Sequence, residues 1–201
     1  MPTVDPNQHD VFAIRQRFAP VINRYEIALA EHADQPFAFV EQKRFKLKED
    51  IRFYSDDSKS EELWKIVARQ RFDPAARYDV TTPDGEKLGE IQKAFGASLL
   101  RSTYKIYDGG SEITVAERNV AVAVFRRAVG FIPYVDNIAN WLPIPYDFTF
   151  TRDGEAIGHH VRKRMKIADT YTLDLSGDPG RTLDRRLALA LAIGLDALQA
   201  R

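Results

Sequence analysis

Four cations fall within five residues in Val161-Arg-Lys-Arg-Met-Lys-Ile167. On a strand, alternation sets Arg162, Arg164 and Lys166 on one face, about 7 Å apart, with Lys163 on the other beside Val161, Met165 and Ile167. A row of cations at that spacing suits a phosphorylated headgroup, so Arg162, Lys163, Arg164 and Lys166 are a candidate anion site. The plain alternative is a solvated strand face. Lys43, Arg44, Lys46 and Lys48 form a second basic set with the same alternative.

A different chemistry attaches to the stretch from Val129 to Tyr146. It is apolar, broken by Pro133, Pro143 and Pro145, and preceded by Arg126 and Arg127. Aromatic and basic neighbours on an irregular segment suit a membrane interface or a protein partner. Arg126, Arg127, Phe131 and Trp141 are therefore candidate interface residues, with Ile132, Leu142 and Ile144 beside them; the alternative is a plug over one end of the fold. His159 and His160 are consecutive, and consecutive strand residues point to opposite faces, so the pair does not chelate one metal ion. Asp56, Asp57, Glu61 and Glu62 lie in a loop without the glycine that shapes calcium loops, and read as solvent-facing charge.

No segment spells out a reaction. A nucleophile elbow, a phosphate-cradling glycine loop and paired carboxylates in a pocket context are all missing from the sequence, so the chain is expected not to be an enzyme. No motif calls for a cofactor or a metal. The absence of cysteine removes thiolate catalysis, disulfides and zinc-thiolate sites, and fits a cytoplasmic protein. Lys plus Arg and Asp plus Glu are 29 each, so no global field draws the protein to nucleic acid, and any binding to an anionic surface must come from a local patch. The polar start of the chain carries no secretory signal pattern.

Those side chains need elements to hold them, and most of the elements read as strands. Period-2 alternation begins at Arg24 and is clearest from Phe37 to Phe53. There Phe37, Phe39, Phe45, Leu47, Ile51 and Phe53 share one parity, and Gln42, Arg44, Lys46, Lys48 and Arg52 the other. Further strands are expected over Leu63–Phe72, Tyr78–Thr82, Tyr146–Phe150, Ala156–Ile167 and Thr170–Leu175. Residues 119–129 fit a helix or a strand. Thr82-Pro-Asp-Gly-Glu-Lys-Leu-Gly-Glu-Ile91 is echoed by Thr151-Arg-Asp-Gly-Glu-Ala-Ile-Gly-His-His160, each with an Asp-Gly hairpin signal. This is either a repeated hairpin unit or two hairpins with convergent turn chemistry.

After the strands, Leu187 to Leu198 is apolar on every side of a helix, and Thr182 is placed to cap it. A helix without a polar face must be buried. Twelve residues with Asp196 among them are too few for a membrane span, which needs roughly 20. The lumen of a closed sheet is the natural place for it.

In that order, the Phe37–Phe53 hairpins, the unit Tyr78…Asp84-Gly85…Leu88-Gly89…Ile91, Arg101-Ser-Thr-Tyr-Lys-Ile-Tyr-Asp108, Tyr146-Asp-Phe148 and the closing helix resemble the tubby C-terminal-like superfamily. That superfamily includes the LURP-one-related proteins and the phospholipid scramblases. The resemblance implies a mainly β fold: a closed antiparallel β-barrel of about twelve strands around a central hydrophobic C-terminal helix, over residues 24–201, with residues 1–23 as an N-terminal extension. It also implies a basic patch that binds phosphoinositides, although the proline-rich region and cysteine cluster of scramblases are missing. The function expected is non-enzymatic binding of anionic phospholipid headgroups or a membrane surface, by a cytoplasmic protein peripheral to the membrane. Two alternatives stand beside it: a protein-interaction module that uses the 130–146 excursion, and an enzyme with an unrecognised site.

Overall fold

The computed structural model describes residues 4–17, 22–43, 51–69, 77–94, 102–118, 147–163 and 169–199. Alternating apolar and polar residues there form β1 (Val11–Arg17), β2 (Ile22–Leu29), β3 (Pro36–Lys43), β4 (Ile51–Tyr54), β5 (Glu62–Ala68) and β6 (Arg77–Thr81). They continue as β7 (Lys87–Lys93), β8 (Thr103–Asp108), β9 (Ser111–Glu117), β10 (Asp147–Arg152), β11 (Glu155–Lys163) and β12 (Thr170–Asp174). Each strand pairs antiparallel with its neighbours in sequence, and β1 also pairs with β12, so the sheet is a closed twelve-stranded barrel. Closure leaves none of these strands as a free edge.

The helix α1 (Arg185–Gln199) follows β12 and supplies the centre of the core. Its residues from Leu187 to Leu195 that carry apolar side chains are all buried, on every side of the helix. Around them lie the inward residues of the strands, among them Phe12, Ile27, Val40, Phe53, Ile106, Ile113, Phe148, Phe150 and Leu173. Leucines fill the lumen while Ala188, Ala190 and Ala192 keep the helix thin. Each fully buried Leu or Ile contributes about 1.5–3 kcal/mol.

The two echoed segments occupy equivalent places. Val80 pairs with Gly89 and Phe150 with Gly158, and in both hairpins the register slips immediately afterwards, leaving Leu88 and Ile157 as the extra residues. Neither second glycine has room for a methyl group. A Cβ on Gly89 would lie 2.6 Å from Leu187 Cδ1 and from the Tyr107 carbonyl, and one on Gly158 would lie 2.5 Å from the Asp174 carbonyl. The turns themselves differ: Asp153 and Gly154 both have positive φ, whereas in the first hairpin only Gly85 does.

Three expectations are corrected. The barrel starts at Val11 rather than at residue 24, because Phe12, Ile14 and Gln16 face the lumen and β1 is the strand that closes it. In β3, Ala38, Val40 and Gln42 point inward and Phe39 outward, the reverse of the expected parity, while Phe53 does face the core. The breaks in alternation between Phe39 and Phe53 therefore do not preserve one common face. The helix cap is Asp184, whose Oδ1 accepts the Arg186 N–H at 2.8 Å, two residues later than the expected Thr182. Residues 119–129 and the excursion to Tyr146 lie outside the described residues.

Replacing Leu191 by Asp puts a carboxylate where nothing in the lumen neutralises it. The expected loss is at least about 4 kcal/mol, from the lost packing and the buried charge together. Urea unfolding followed by circular dichroism checks this; a variant with the wild-type midpoint contradicts the enclosed helix.

Candidate functional site

The two ends of the barrel are built differently. At one end, tight turns join the strands and the helix begins. Arg185 there has no exposed surface, and its five guanidinium N–H groups have five acceptors. These are Asp178 Oδ2 at 2.7 Å, Asp10 Oδ1 at 2.9 Å, and the carbonyls of Leu183 at 3.0 Å, Asp178 at 3.1 Å and His9 at 3.2 Å. Asn7 accepts the Arg185 backbone N–H at 2.7 Å, and Asp108 accepts that of Asp184 at 2.7 Å. Burial works to raise the Asp178 carboxyl, but the Leu183 N–H, Arg185, Thr182 and Arg152 together hold it below the ordinary carboxylate range. The arrangement ties the N-terminal segment and the turn after β12 to the guanidinium at the helix start. Removing one partner of such a buried pair typically costs about 3–5 kcal/mol.

The outer wall from β4 to β9 is laced with ion pairs. Arg52 meets Glu62 at 2.9 Å; Arg69 meets Asp79 and Glu90, both at 2.7 Å; Lys87 meets Asp79 at 2.8 Å; and Lys105 meets Glu112 at 2.7 Å. Such exposed pairs add little stability. Their consequence is electrostatic, since these cations are each answered by a carboxylate beside them.

At the opposite end, a polar arc lines the lumen across adjacent strands. Tyr171 donates to Gln16 Oε1 at 3.0 Å, Gln16 Nε2 donates to the Tyr25 hydroxyl at 3.5 Å, and Tyr25 donates to Gln42 Oε1 at 3.4 Å. His160, with no exposed surface, stacks on Tyr171 with centroids 5.4 Å apart and planes 1° from parallel. Burial lowers its pKa to about 3, so the ring is neutral at ordinary pH.

Of the anticipated basic row, Arg162 is described, and it lies at this end. Arg162 follows the inward register of His160: its guanidinium lies 5.7 Å from the Tyr171 ring centroid and pairs with Asp169. Arg162 therefore points into the barrel mouth instead of outward. Lys163, on the other face, is exposed. His159 and His160 lie on opposite faces, with His159 Nδ1 3.4 Å from Thr149 Oγ1. Arg164 and Lys166 lie outside the described residues, as do Arg126, Arg127, Phe131 and Trp141. Among the described residues, no group of three or more His, Cys, Asp or Glu is placed to hold a metal ion. Sequence reasoning missed the Arg185 network, whose partners lie as far as 178 residues away in the chain. The only signal was an arginine opening an otherwise apolar helix.

A closed antiparallel barrel around an apolar C-terminal helix is the architecture of the tubby-like superfamily. Within it, the profile of the LURP-one-related family matches residues 37–196, and the chain belongs to that family. No curated protein and no solved structure matches the chain. The family is generally non-enzymatic. No helix among the described residues is long and apolar enough to cross a membrane.

His160 gives the fold a pH dependence of known sign. Its folded pKa lies below the unfolded value of about 6.5, so the unfolded chain binds the proton and stability falls as pH drops from 6.5 toward 3. One such group costs about 2 kcal/mol between pH 7 and pH 5, whereas Asp10 and Asp178 begin to contribute only below about pH 4. Urea midpoints at both pH values check this. His160→Phe is expected to flatten the dependence over that window, and an unchanged slope contradicts it.

Proposed function

We propose that the protein is a non-enzymatic barrel that binds anionic phospholipid headgroups at a membrane surface through the end opposite the helix start. What supports this reading is a division of charge in the sequence between the two sets of connections that join the strands. Strands β1, β3, β5, β7, β9 and β11 finish at that end. The sequence joining them onward carries Arg44, Lys46, Lys48, Arg69, Arg71, Arg101, Arg118, Arg126, Arg127, Arg164 and Lys166 against Glu49, Asp50, Asp73, Asp136 and Asp169. The turns at the other end carry Glu31, Asp34, Asp56, Asp57, Glu61, Asp84, Glu86, Asp153, Asp178 and Asp184 against Lys59 and Arg181.

A neutral protein with its charge so divided is oriented by an anionic surface, cationic end first. Phe131 and Trp141 belong to the same joining sequence and are of the types that settle at a membrane interface. The helix takes no part, since its apolar surface is spent on the core. Binding by this route leaves the protein peripheral to the membrane and cytoplasmic, facing an anionic leaflet.

Co-sedimentation with phosphatidylcholine vesicles, with and without a phosphoinositide, tests the reading. Each cation near an anionic surface contributes about 1 kcal/mol, so reversing Arg126 and Arg127 together to Glu is expected to weaken binding at least about tenfold. Binding should also fall as salt rises. Failure of the wild type to bind anionic vesicles at low salt, or binding indifferent to the double reversal, overturns it.

A further inference from the structure

The reversed parity of β3 has put an aromatic side chain on the outside of the barrel, and a cleft surrounds it. Phe39 lies on the outer face in register with Glu26 on one side and Tyr54 on the other, and both rings are partly buried. They form the floor of a cavity of about 160 Å³. The segment after β4 turns back over this floor, with Lys59 at φ 61° and its backbone N–H bonded to the Asp56 carbonyl at 3.2 Å. The Lys59 ammonium then reaches Glu41 at 2.5 Å.

The lining carries charges of both signs. Glu41 is shared by two cations, Lys59 and Arg24, the latter at 3.0 Å. Lys59 above all holds the Glu41 carboxyl below its ordinary range, and one positive charge is left over. Arg24 is 60% exposed and Lys59 42% exposed, so both have N–H groups free to turn to a ligand. Asp56 also lines the cleft, kept ionised by the hydroxyls of Ser58 and Ser60 and further by Ser55. Beside it Asp57 is exposed and has no ion pair among the described residues.

We propose that this cleft binds a small zwitterion: an anionic phosphate or carboxylate and an ammonium a few bonds apart. The anionic group sits at Arg24 and Lys59, where one cation is in excess. The ammonium lies over the Phe39 and Tyr54 rings, whose faces attract cations, with its charge toward Asp57. A lone anion would meet Asp56 and Asp57, and a lone cation would meet Arg24 and Lys59, so the lining selects for a ligand carrying both charges. The site is on the barrel wall and does not depend on the cationic end described above.

Calorimetric titration with phosphocholine and phosphoethanolamine, against inorganic phosphate and choline as single-charge probes, tests the assignment. Both zwitterions are expected to bind at least tenfold more tightly than either single-charge probe. Arg24→Gln, Asp57→Asn and Tyr54→Leu should each weaken binding at least fivefold while thermal melts stay at the wild-type midpoint; Arg24 and Asp57 are surface residues, so the test stands even if Tyr54→Leu disturbs folding. Competition by phosphatidylcholine vesicles assigns the zwitterion to a lipid headgroup, and lack of competition assigns it to a free metabolite. No saturable binding, equal binding of phosphate alone, or binding unaffected by Arg24→Gln and Asp57→Asn overturns the proposal. None of the three substitutions should alter the increment in sedimentation that a phosphoinositide adds to phosphatidylcholine vesicles, which keeps the outcome separate from that of the cationic end.

Discussion

A helix that is apolar on all sides has to be enclosed, and the rest of the molecule follows from that requirement. Twelve strands make a lumen that takes one thin helix, in which Ala188, Ala190 and Ala192 and the leucines around them are all buried. Gly89 and Gly158 clear the inner wall, the first for Leu187 and the second for Leu175. Entry of the chain into the lumen is fixed at Arg185, a buried cation placed where Asp10, Asp178 and the carbonyls of His9 and Leu183 converge. A buried guanidinium is costly unless every donor is met. Here the requirement draws the N-terminal segment onto the helix start, so that β1 is held in place to close the sheet.

Enclosing the helix also decides where function can lie. The interior is taken up by packing, with a polar arc only at the mouth, where Gln16, Tyr25, Gln42 and Tyr171 satisfy one another. Much of the wall is neutralised by cross-strand ion pairs. Among the described residues there remain an acidic turn end and a cleft on the wall between β2 and β4, while the sequence joining the strands onward from the other end is rich in Arg and Lys. Membership of the LURP-one-related family, which is generally non-enzymatic, agrees with a scaffold of this kind.

Much of the fold was legible in the sequence because its signals are local and physical. Period-2 alternation marked the strands, Asp-Gly pairs marked hairpins, and a helix without a polar face demanded a lumen. The parity of β3 was misread because alternation carries no information across a break: Phe39 and Phe53 sit on opposite faces although their numbers agree in parity. Arg162 was misplaced for a related reason. Alternation groups residues by face but does not say which face is wet, and the inward register of Arg162 is set by His160 and Tyr171, whose burial depends on neighbouring strands. The Arg185 network joins residues 7–10 to 178–185, a pairing that only the closed barrel creates. The outer cleft was hidden for both reasons, since it needs the reversed parity of Phe39 and the fold-back of Lys59.

The central claim is that the C-terminal helix is the core of the barrel and takes no part in contact with a membrane. Amide hydrogen exchange of Leu187–Leu195, measured on the free protein and with anionic vesicles present, tests it most directly. If the helix is enclosed, these amides exchange only through global unfolding, at the free energy obtained from urea denaturation, and vesicles do not slow them further. Rapid exchange in the free protein that slows when vesicles are added would contradict the account.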